Sequence, residues 1–138
     1  MSSVVSPHTA IIYVMVTVSA ADAQMADKEL RAIGDIVRSF PVFRGFDEEK
    51  LVRAAHECAD ILSEEKDGLQ TVFALARQAL SAPLRETAYA CAVEVAAADD
   101  RINREEMRIL ELVRAGLQID TLVAVAIERA ARARHTRI

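Results

Sequence analysis

Hydrophobic positions recur at helical spacing along nearly the whole chain. Leu51, Ala54, Ala55, Cys58, Ile61 and Leu62 fall three and four residues apart, the stripe of an amphipathic helix that Asp47 opens. Asp67-Gly68 breaks this pattern from the next, in which Val72, Leu75, Ala76 and Ala79 share a face. Pro83 predicts the start of a helix running to about residue 98. Its apolar residues (Ala88, Ala90, Cys91, Ala92, Val93, Val95) surround the axis, which places it at the centre of a bundle. Residues 103–117 and 120–134 read as two further helices. Near the other end, residues 10–21 (AIIYVMVTVSAA) are almost entirely apolar. That run is shorter than the roughly 20 residues a bilayer requires, so it reads as a buried first helix with Ser6 as N-cap and Pro7 in its first turn. No segment alternates long enough for a strand. The expectation is an all-α, single-domain bundle of about seven helices over residues 1–138.

The pattern also repeats. At an offset of 77 residues, Val18-Ser19-Ala20-Ala21-Asp22 lies over Val95-Ala96-Ala97-Ala98-Asp99. Met25 then meets Ile102, Glu29 meets Glu106, Leu30 meets Met107 and Arg31 meets Arg108. Each copy reads as a buried helix, a tight turn carrying an Asp, and an amphipathic helix whose first turn carries a Glu. Two pseudo-symmetric helical hairpins are expected, at about residues 7–39 and 83–117.

Composition narrows the function. Apolar residues make up 52% of the 138 and charged ones 28%, enough for a core and against disorder. The formal charge of −4 supplies no global pull toward nucleic acid. Trp is absent and Phe and Tyr are few, so stacking platforms for nucleic acid are not expected either. The first nine residues carry no Lys or Arg ahead of the apolar run, unlike a secretory leader, and the expected location is cytoplasmic. Cys58 lies on an apolar stripe and Cys91 in the central helix, so both read as core residues. His56 has no partner at metal-ligand spacing, and no phosphate loop or nucleophile elbow is present; an enzyme is not expected. Residues 129–137 (RAARARHTR) are locally basic, which suits a helix end complementing its dipole and leaves open docking of an acidic partner or phospholipid.

The acidic turns carry the candidate chemistry. If the hairpins pack as partners, Asp22, Glu29, Asp99 and Glu106 converge, and clustered carboxylates repel unless a cation or shared protons compensate. Oxygen-only ligands suit Ca²⁺ or Mg²⁺ better than zinc. Against this stands helix capping. Asn103-x-x-Glu106 has capping-box spacing, whereas Ala26 occupies the matching position before Glu29 and leaves Asp27 as an alternative cap. Both readings remain open at this stage. An EF-hand is excluded, because counting from Asp99 puts Arg101 and Leu110, and counting from Asp22 puts Ala26 and Ile33, where oxygen ligands belong.

The two Ala-Ala-Asp turns, each followed by a Glu-bearing helix, resemble the tellurite-resistance TerB family over nearly the whole chain. The resemblance extends to TerB-like domains attached to membrane-anchored J-domain co-chaperones. It implies a seven-helix all-α fold with such a repeat, an acidic cluster proposed to bind metal ions, and a part in bacterial stress response. It also implies a protein partner, with membrane association of that partner left open. The family's turns read Ala-Asp-Gly, then an apolar residue, then Glu; Met25 and Ile102 supply the apolar residue here. The Gly positions are occupied by Ala23 and Asp100. The first turn is therefore expected to differ in shape, since Ala is penalised in a left-handed conformation, and Asp100 offers an extra ligand. The rival expectation is a metal-free helical protein–protein interaction module.

Overall fold

The computed structural model describes residues 5–20, 27–98 and 102–138. Among them are seven α-helices and no strand: α1 (Pro7–Ser19), α2 (Asp27–Ser39), α3 (Leu51–Glu64), α4 (Gly68–Ala79), α5 (Ala82–Ala97), α6 (Arg104–Gly116) and α7 (Thr121–His135). The all-α expectation is met, and apart from the start of α3 the helix ends fall within two residues of where caps and periodicity put them. Ser6 caps α1 by accepting from the Thr9 amide, with Pro7 as the first helical residue. Asp47 acts one step earlier than expected. It caps a single 3-10 turn (Glu48–Lys50) that runs into α3.

A second 3-10 turn, Pro41–Phe43, lies outside the periodic pattern. It seats the start of α1. His8 donates from Nε2 to the Val42 carbonyl at 2.8 Å, and its ring stacks on Phe43 with Phe46 edge-on.

α1 and α5 form the centre. Every residue from Ala10 to Ser19 is buried, and α5 buries Ala88, Tyr89, Cys91, Ala92, Val93, Val95 and Ala96. The two helices pack on each other; α3 and α4 cover α1, and α7 covers α5. The buried hydroxyls of α1 turn inward onto their own helix, Thr17 to the Tyr13 carbonyl and Ser19 to that of Met15, so they add no unpaired donor to the core. The expectation of α1 as a core helix holds. No helix of the described residues is long and apolar enough to cross a membrane.

The offset of 77 residues has a counterpart in the elements. Applied to α2 it returns the bounds of α6, and applied to α1 it falls within α5. Packing is reciprocal as well: α2 lies against α5 and α6 lies against α1.

Candidate functional site

α2 and α6 are strongly one-sided helices, with Ile33, Ile36 and Val37 buried on α2 and Leu110 and Val113 buried on α6. Each also carries inward a residue that the apolar pattern would not select. Glu29 is the third residue of α2 and is 3% exposed; Glu106 is the third residue of α6 and is 1% exposed. They are the only buried carboxylates among the described residues, and the repeat pairs them with each other.

The local geometry of Glu106 is a complete capping box. Its amide donates to Asn103 Oδ1 at 2.8 Å, and its Oε1 accepts from the Asn103 amide at 3.1 Å. The box explains why a Glu stands at this position. It does not explain the depth of burial, because a cap works equally well at the surface and desolvating a carboxylate is costly unless charge or hydrogen bonds compensate. In α2 the helix begins at Asp27, so Asp27 is the first helical residue and not the residue that flanks it.

Of the five candidate ligands, Glu29 and Glu106 are therefore placed, each in the first turn of its helix, α2 or α6. Asp22, Asp99 and Asp100 lie outside the described residues, as do Ala23 and the turns themselves. Among the described residues, no three His, Cys, Asp or Glu side chains gather as a metal site. The donors that are placed are the oxygens of two buried carboxylates. That chemistry fits a hard divalent cation and does not favour zinc.

The cysteines behave as core residues. Burial pushes the Cys58 thiol up to about 12, only partly offset by its contact with Thr17, and pushes Cys91 up to about 12 as well. Neither is a thiolate at neutral pH, which is the form a nucleophile or metal ligand needs. His56 is exposed on α3, on the opposite flank from buried Cys58.

These features define a class, an all-α domain whose second and sixth helices each bury a glutamate in the first turn. The chain belongs to the TerB family: the family model described as "Tellurite resistance protein TerB" matches residues 8–129, from the first turn of α1 into α7. No curated protein and no solved structure matches the chain.

Proposed function

We propose that this TerB-family domain is a stress-related binding protein, not an enzyme, that takes a divalent cation through Glu29 and Glu106 together with Asp22, Asp99 and Asp100. The observation that carries this reading is the burial of the two repeat-related glutamates. A cation between the hairpins compensates both charges at once, and oxygen ligands favour Ca²⁺ or Mg²⁺. Bound there, the ion would hold the two hairpins in one arrangement and so fix the surface offered to a protein partner. The reading places the protein in the cytoplasm.

The test is thermal unfolding with Ca²⁺, Mg²⁺, Mn²⁺ or Zn²⁺ against chelator. An ion at a hundredfold excess over its dissociation constant stabilises the folded state by about 2.7 kcal/mol. The double variants Glu29→Gln/Glu106→Gln and Asp22→Asn/Asp99→Asn are expected to lose that gain. Equal gains in wild type and both variants would sink the reading.

One observation favours a second reading. The Asn103–Glu106 capping box is complete without any ion, as a metal-free interaction module would have it. That module shows no cation response, and Glu106→Gln, which can still accept from the Asn103 amide, keeps its stability.

A further inference from the structure

α6 and α7 both lie on α5 but pack little on each other, and this leaves a cleft of about 610 Å³ between them. Tyr89, Val93 and Ala97 form its floor at steps of four residues, one face of α5 over two turns. Met107 and Leu110 of α6 stand on one side and Ala131 of α7 on the other. Met107 is 61% exposed, an adaptable apolar side chain at the rim with nothing over it among the described residues. The volume falls within the range of roughly 300–1,000 Å³ typical of ligand sites.

The cleft is electrically graded along its length. α7 runs parallel to α5, since Tyr89 donates to Glu128 at 2.5 Å while Glu94, further along α5, receives Arg134 and His135. α6 runs the opposite way and brings Glu111 to the Tyr89 end. That end therefore holds Glu111 and Glu128 against one guanidinium, Arg114, which bonds Glu111. Among the described residues that line it, the Ala97 end carries Arg132 and His135, and His135 and the neighbouring Arg134 pair with Glu94. Arg132 has no side-chain hydrogen bond or ion pair among the described residues. A smaller recess lined by Ala97, Ala98, His135 and Arg137 continues this basic end.

We propose that this cleft receives an amphipathic helix of a partner protein, lying parallel to α5. A helix carries partial positive charge at its N-terminus and partial negative charge at its C-terminus. Placed parallel, it sets its N-terminus by Glu111 and Glu128 and its C-terminus by Arg132 and His135. The matching sequence has apolar residues at i, i+3, i+4 and i+7, basic residues in its first turn and acidic residues in its last. This deepens the partner half of the proposed function and does not depend on the cation, so cation titration and helix binding fail separately.

The test uses two fluorescently labelled helical peptides of identical composition. Both carry the same leucine face; one has Lys in the first turn and Glu in the last, and the other has these reversed. Anisotropy titration is expected to show the first binding about tenfold tighter. Met107→Glu is expected to abolish binding, and the charge-swapped pair Glu111→Lys/Arg132→Glu to reverse the preference, with circular dichroism showing both variants folded. If a variant does not fold, Met107→Ser and the single Arg132→Glu carry the same readouts. Equal affinity for the two peptides, no binding by either, or binding indifferent to the Met107 variants would overturn the proposal.

Discussion

Gln118 shows how one residue can resist its own backbone. It follows α6 with φ at 59°, the one non-glycine residue in the left-handed region among those described. The Ile119 amide returns to the Arg114 carbonyl and the Gln118 amide to that of Ala115, a closing motif that normally recruits glycine. Gln118→Gly is therefore expected to raise stability by about 0.5–1 kcal/mol, read as an increase in thermal midpoint. A lower midpoint would mean that the Gln side chain contributes something its exposure does not suggest. The same scale shows what a sequence conceals. Asn103-x-x-Glu106 announced its capping box through spacing alone, because a cap is a local arrangement. The burial of Glu29 and Glu106 was not legible, because depth depends on which helices cover a residue.

At the scale of the helix, periodicity was sufficient. The stripes on α3 and α4, the all-round apolar character of α5 and the caps of α1 and α6 are properties of short windows, and they placed these elements correctly. The two 3-10 turns around Phe43 and Lys50 were missed, since three residues are too few for any period to register. Contacts between helices were hidden as well. Gly116 shows why: a Cβ added there would meet the Phe73 ring at 2.4 Å, and the Gly116 carbonyl accepts from Arg77 at 2.7 Å. α4 and α6 thus touch through a residue that reads in sequence as an ordinary helix ending. Gly116→Ala is expected to cost about 1–3 kcal/mol, measured by denaturant unfolding. Gly34→Ala, where an added Cβ would meet only the end of the flexible Arg38 side chain at 3.2 Å, is the matched control and should cost far less.

For the molecule as a whole, the core sets the response to base. Burial raises Cys58 and Cys91 to about 12 from an ordinary 9.0, and raises Tyr13 and Tyr89 also, chiefly by desolvation. The folded state then holds these protons more tightly than the unfolded chain does. Its stability is full below the unfolded values and declines as pH climbs through the folded ones. The thermal midpoint should change little from these groups near neutrality and fall steadily above pH about 9. A midpoint level into strong base would contradict the burial of all four.

The placement of α1 bears on how such a chain is made. This helix emerges from the ribosome before the helices that cover it among the described residues, chiefly α3, α4, α5 and α6. During synthesis its Ile, Val and Met side chains must wait in water, or against a chaperone, until the sixth helix has been translated. A TerB-family domain of this design cannot complete its folding residue by residue as it is born.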